Sequence, residues 1–167
     1  MANSKGKRPT KTASKRSVTP INLNLSQAEQ MLPLVKHIAQ DVKMYWDRLG
    51  RLEKEQADLD RRRHKLDWPL RSRRYEIADE INVERKRLQE AVAELDQLQV
   101  ILVDPQTGEM AFPTMIHGRK AFYVWSLELP RIETWCYANE PTRRVIPNSW
   151  RNQAEKNDVE VENVPED

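Results

Sequence analysis

From Ala28 the apolar positions step by three and four residues without a slip: Ala28, Met31, Val35, Ile38, Val42, Tyr45, Leu49, Leu52, then Gln56, Leu59, Arg63 and Leu66. That alternation is a heptad seam, a single apolar stripe along a helix. A second series with the same spacing runs Ile77, Ile81, Glu84, Leu88, Ala91, Leu95, Leu98, Leu102. Between the two stands Trp68-Pro69, and proline both lacks a backbone donor and disfavours helix at the residue before it. The pattern therefore predicts two helices, over 26–66 and 70–99. Ser26 followed three residues later by Glu29 has the form of a capping box and predicts the first start. Pro33, about two turns in, predicts a bend.

Folding the second helix back on the first matches the seams when Leu49 meets Ala91, Leu52 meets Leu88, Tyr45 meets Leu95, Val42 meets Leu98 and Leu59 meets Ile81. The fold-back then centres near Leu70, and about 40 residues at 1.5 Å each predict an antiparallel hairpin, a coiled coil, on the order of 60 Å long. The same register sets Gln56 against Glu84 and Arg63 against Ile77, so the outer third of the arm has a polar, weaker seam. These stripe residues read as packing rather than as a cofactor site.

After Leu98 the period changes to alternation, with β-branched and aromatic residues between turn signals. "VILVD", the turn "PQTG" and "EMAFPT" predict a hairpin; "HG" at 117 and 118 predicts a second turn; "RKAFYVWSLE" and "RIETWCYA" predict two further strands. The expectation is an α+β fold: a long helical hairpin, then an antiparallel sheet of three or four strands over 100–137, with a C-terminal extension to 150. Phe112, Phe122, Trp125 and Trp135 are the large side chains expected to close the junction of sheet and hairpin.

Composition narrows the class. The chain has 167 residues, 38% hydrophobic and 32% charged, a balance suited to one thin, helix-rich domain. The net charge of +2 hides an asymmetry. Residues 1–20 carry six Lys or Arg and no acid, residues 151–167 carry six acids against Arg151 and Lys156, and 21–150 balance at twenty of each sign. Segments 1–25 and 151–167 have little to bury and read as a basic and an acidic disordered tail. The basic one would add salt-sensitive attraction to a polyanion, or merely solubilise. The lone Cys136 forms no intrachain disulfide, and no secretory leader or membrane span is evident, so the expected compartment is the cytoplasm.

The order Phe112-Pro113, Gly118-Arg119, Trp125, Trp135 and Arg143-Arg144, behind a heptad-rich hairpin opening "AEQMLPLV", resembles the uncharacterised prokaryotic domain-of-unknown-function family 2203. The resemblance spans roughly residues 25 to 147 and implies a fold more than an activity, since the family has no assigned biochemistry. Three positions depart from the family pattern: Ala111 where it has Asp, Glu128-Leu129 where it has Gly-Glu, and Cys136 where it has His. If the family site performs acid, base or metal chemistry, the resemblance implies that this member has lost or changed it.

Motifs for chemistry are absent: there is no phosphate-cradling glycine loop, no HExxH and no GxSxG. His37, His64 and His117 fall on different elements, and neither a metal nor a cofactor is expected. Two functional readings stand. In the first, a non-enzymatic interaction protein presents Arg61, Arg62, Arg63, Lys65, Arg71, Arg73 and Arg74 at the hairpin tip to RNA, DNA or an acidic protein, with Trp68 stacking on a base or filling a partner's pocket. The bland counterpart is a solvated bend whose arginines are neutralised by Asp60, Asp67, Glu76 and Asp79. In the second, Arg119, Trp125, Trp135, Cys136, Arg143 and Arg144 form a ligand or enzymatic site at the junction, against pairing of these arginines with acids such as Glu128 and Glu133. Self-association through the helical seams is compatible with either.

Overall fold

The computed structural model describes residues 22–151. Two helices, α1 (Leu25–Arg61) and α2 (Trp68–Gln97), pack against each other as a hairpin. Five strands follow: β1 (Ile101–Asp104), β2 (Glu109–Ile116), β3 (Arg119–Trp125), β4 (Thr134–Tyr137) and β5 (Glu140–Val145). At 37 residues α1 is about 55 Å long. The tails predicted for 1–25 and 151–167 lie outside the described residues except at their inner ends, and there the boundary is corrected. Leu23 and Leu25 are buried, Leu23 donates its N–H to the Pro113 carbonyl at 3.2 Å, and Arg151 pairs with Glu29 at 2.6 Å.

The start of α1 lies earlier than Ser26. Asn24 accepts the Gln27 N–H at 2.7 Å while the Gln27 side chain accepts the Asn24 N–H at 3.0 Å, a reciprocal cap built from amides. Glu29, the acid expected in that role, is engaged by Arg151 instead. Pro33 lies inside α1 without ending it.

The fold-back is also tighter and earlier than the seams suggested. Arg62 closes α1, Arg63–Lys65 form a 3-10 turn, and Asp67 caps α2 by accepting the Leu70 N–H at 3.2 Å. Trp68-Pro69 opens α2 rather than interrupting a helix, because N–H groups in a first turn have no helical acceptor and proline loses nothing there. The cross-hairpin pairs move accordingly: Glu84 meets Arg48, about two turns further from the tip than the Gln56 assigned to it. Arg63, expected in the seam, is exposed, and Leu66 is the buried residue at the end of the arm.

The hairpin holds two apolar clusters. The distal one comprises Leu49, Leu52, Leu59, Leu66, Ile77 and Ile81; the proximal one joins Ala28, Val35, Val42, Ala91 and Leu95 to the sheet. Glu84 is buried on the α2 seam, and Leu88 touches both clusters. The buried apolar residues of the seams are thus packed within the chain itself.

The sheet is an antiparallel meander in the order β1-β2-β3-β4-β5. It has one strand more than expected, and β5 runs through the segment read as an extension. Pro141, Arg143 and Arg144 obscured the alternation there; an edge strand tolerates proline and charge because one side of its backbone faces no neighbour. His117 and Gly118 both have positive φ, 52° and 72°, as a two-residue turn between β2 and β3 requires. Gly108, at φ 66°, closes the β1–β2 turn, and a Cβ there would come within 3.1 Å of the Leu127 Cβ. The inner face, with Met110, Phe112, Tyr123, Trp125, Trp135 and Tyr137, packs on α1 and α2. Phe122, expected in that junction, is half-buried on the opposite face, since it pairs with Cys136 and alternates with Tyr123.

Candidate functional site

The tip of the hairpin divides its cations into two sets. Arg61 is held by Asp58 at 2.5 Å, Arg74 by Asp60, and Arg73 by Glu55 at 3.0 Å and Glu80 at 2.7 Å. The hydrogen bonds that the Arg73 guanidinium donates to those two carboxylates raise its pKa. These three arginines are neutralised locally. The second set has no carboxylate partner among the described residues. Arg62 donates to the Asp58 carbonyl at 3.3 Å, Arg63 to His64 at 3.1 Å, and Arg71 to the Leu66 carbonyl at 2.8 Å, while Lys65 is exposed in the turn. Asp67 is engaged as the α2 cap, and Glu76 accepts from Ser72 at 3.3 Å and lies 3.7 Å from Arg73.

Two further cations join this set that the sequence reading passed over. Arg51 and Lys54 line an open groove of about 370 Å³ with Glu55, Asp58, Leu59, Arg62 and Leu70. Neither has a carboxylate partner among the described residues. Their signal lies in the spacing, since 51, 54, 58 and 62 fall on one helical flank beside the apolar stripe.

Trp68 is 78% exposed and Tyr75 71% exposed. They stand seven residues apart on α2, two turns, on the side opposite the buried Ile77, Ile81 and Glu84. Arg71 lies between them on the same side. Trp68 was singled out from its dipeptide with proline; Tyr75 was missed because its exposure depends on where α2 begins.

The second group of sequence candidates does not converge. Trp125 is fully buried and donates its Nε1–H to the Leu129 carbonyl at 2.9 Å, a structural bond. Trp135 is buried between Tyr137, at 4.9 Å edge to face, and Trp150 at 5.5 Å. Arg119 stacks over the Tyr137 ring at 3.8 Å and donates to Asn139 at 3.1 Å; Arg144 pairs with Glu140 at 2.6 Å and lies 5.2 Å from the Trp135 ring. These sit on the inner face or its rim. Cys136 and Arg143 lie on the outer face, where Arg143 pairs with Glu109. The acids engaged are therefore Glu109 and Glu140, not Glu128 and Glu133; the latter lies 4.0 Å from Arg131. Burial pushes the Cys136 thiol pKa up, with Arg143 and Arg144 opposing, so the group is not poised as a nucleophile.

His37 is exposed on α1, His64 is in the tip turn, and His117 Nδ1 is 3.2 Å from the Tyr137 hydroxyl. No group of three potential ligands is close enough to hold a metal ion among the described residues, and no helix among them is long and apolar enough to cross a membrane.

The family model described as "Uncharacterized conserved protein (DUF2203)" matches residues 23–144. The chain belongs to this family. That span runs from just before the cap of α1 through the hairpin into β5, so the DUF2203 match covers both helices, the tip and the sheet up to Arg144. No curated protein and no solved structure matches the chain. Of the three departures that the sequence resemblance marked in this DUF2203 member, Ala111 and Cys136 share the outer face with Glu109 and Arg143, and Ala111 is buried there.

Proposed function

We propose that this protein acts by binding rather than catalysis, and that the hairpin tip grips the phosphate backbone of a nucleic acid. The observation that carries this reading is the set of six cations, Arg51, Lys54, Arg62, Arg63, Lys65 and Arg71, without carboxylate partners among the described residues, beside a tryptophan that is 78% exposed. Arginines left solvated on a charged helix need no explanation; a large aromatic ring held out in water among them does. Phosphate contacts release counterions, so six of them give a slope of log K against log salt of about −4 on single strands and about −5 on duplex. An acidic protein would meet the same cations, but a nucleic acid offers phosphates and stackable base faces together, which suits cations interleaved with an exposed ring.

The test is equilibrium binding of full-length protein to RNA and DNA across a salt series, beside a variant with Arg62, Arg63, Lys65 and Arg71 changed to glutamine. All comparisons are between full-length chains, so any contribution of the basic residues 5–16 is common to both. The variant is expected to bind more weakly to every sequence, with the slope reduced by about 3–4. An unchanged affinity and slope would remove the tip from the reading.

A further inference from the structure

Resting on the nucleic-acid reading, we infer that the occupant of the tip is single-stranded, and that Trp68 and Tyr75 each stack one base. Three observations converge. First, the two rings are the large aromatic side chains that this end of the hairpin leaves in water, at 78% and 71% exposure. Their seven-residue spacing places them along one line of α2, about 10.5 Å apart in rise, opposite the seam. Second, Arg71 lies between them on that line and has no carboxylate partner among the described residues; its Nε–H is given to the Leu66 carbonyl at 2.8 Å, which leaves the rest of its guanidinium for a phosphate. Lys65 precedes the line in the turn and adds a second phosphate contact at its start.

Third, charge limits the site. Asp79 follows Tyr75 by one turn on the same side of α2 and has no ion pair among the described residues, so a strand running on past Tyr75 would meet a carboxylate. The stacking line is bounded at two bases. Paired bases in a duplex offer no free face between their neighbours, whereas unpaired bases stack on exposed rings whatever their identity. Two aromatic platforms with a cation between them thus favour an unpaired strand with little sequence preference.

The test uses full-length protein and a fluorescently labelled oligothymidylate of about ten nucleotides, a length within the site sizes of such binders. A duplex of the same length and polyglutamate serve as competitors. The expected result is preferential binding of the single strand, with Trp68→Leu and Tyr75→Leu each weakening it roughly five- to a hundredfold, Trp68→Phe recovering most of the loss, and the salt slope unchanged. Because both side chains are mostly exposed, the leucine variants keep the fold, and far-UV circular dichroism checks it. Binding that depends on the tip cations but is indifferent to both leucine substitutions, or equal for duplex, overturns the stacking inference and leaves the phosphate grip standing. Displacement by polyglutamate as readily as by oligothymidylate overturns the stacking inference too. Absence of any binding to the oligonucleotide and to the duplex overturns both.

Discussion

Glu84 offers the sharpest test of how the hairpin is held together. Its side chain is 3% exposed, on the α2 seam beyond the distal cluster's Ile81. One carboxylate oxygen receives Arg48 at 3.3 Å and Arg87 at 3.1 Å; the other is buried without a hydrogen-bond partner. A buried polar atom left unsatisfied costs about 1–3 kcal/mol. Replacing Glu84 by leucine, of similar volume, removes that cost and adds apolar burial of about 1.5–3 kcal/mol. Against this stands the loss of two ion pairs whose arginines are about half exposed, 51% and 49%, and so return easily to water. At that exposure each is worth roughly 0.2–1 kcal/mol, and backbone relaxation around the new side chain takes a further 1 kcal/mol or so. The net expectation for Glu84→Leu is a stabilisation of about 1–3 kcal/mol, a rise in Tm of roughly 3–10 °C for a domain of this size. Arg48→Ala has the opposite sign, because it leaves the buried carboxylate with one cation; a loss of about 1–3 kcal/mol is expected, less than for a fully stripped buried pair. Urea and thermal unfolding followed by far-UV circular dichroism read both, with an unchanged m-value confirming that the folded state is compared. A lower Tm for Glu84→Leu, or no effect of Arg48→Ala, would refute the argument that the carboxylate is a cost which its arginines only partly offset.

Gly108→Ala combines a left-handed backbone with a methyl group 3.1 Å from Leu127, so it is expected to lower stability by about 1–3 kcal/mol in the same unfolding assay; a neutral result would show that the β1–β2 turn shifts freely. Cys136 should react with an alkylating reagent more slowly than free cysteine at mildly alkaline pH, and at the ordinary rate once unfolded, because burial raises its pKa; faster reaction in the native protein would mean that Arg143 and Arg144 dominate instead. The Asp104 carboxylate accepts the Gln106 N–H at 2.9 Å and the Thr107 hydroxyl at 2.9 Å, which hold its pKa below the usual value, with Lys43 helping. A pKa lower in the folded than in the unfolded chain means that its stabilisation is present above pH about 4 and is lost as pH falls through the depressed value. An NMR titration of Asp104 with a midpoint at or above that of an ordinary aspartate would contradict it.

Much of the fold was legible because each helix carries its own period. Ala28, Val35, Ile38, Val42, Leu49, Leu52 and Leu59 were picked out by spacing and are all buried. The strand over Glu109–Ile116 and the turn at His117-Gly118 followed from alternation and a permissive glycine. The misreadings share one cause: alternative residues satisfy the same local requirement. Asn24 and Gln27 cap α1 as well as Ser26 and Glu29 could, and Pro69 suits the first turn of a helix as well as a break in one. Moving the start of α2 to Trp68 then shifted the register of the whole arm.

The candidate site was legible in kind but not in membership. Arginine-rich composition around Trp68 named the region, yet a charge pattern in one dimension does not say which cation meets which acid. Arg73 and Arg74 are matched with Glu55 and Asp60 from the facing helix, more than ten residues away in sequence, whereas Arg62, Arg63, Lys65 and Arg71 meet no carboxylate among the described residues. The sequence alone determined that this chain is a helical hairpin followed by a sheet, because hydrophobic periodicity acts locally through the 3.6- and 2-residue repeats. Only the tertiary structure decided which charges remain unpaired among the described residues, and that Trp135 rather than its neighbour Cys136 faces the helices. Those depend on register between elements, and register is fixed where side chains from distant parts of the chain meet.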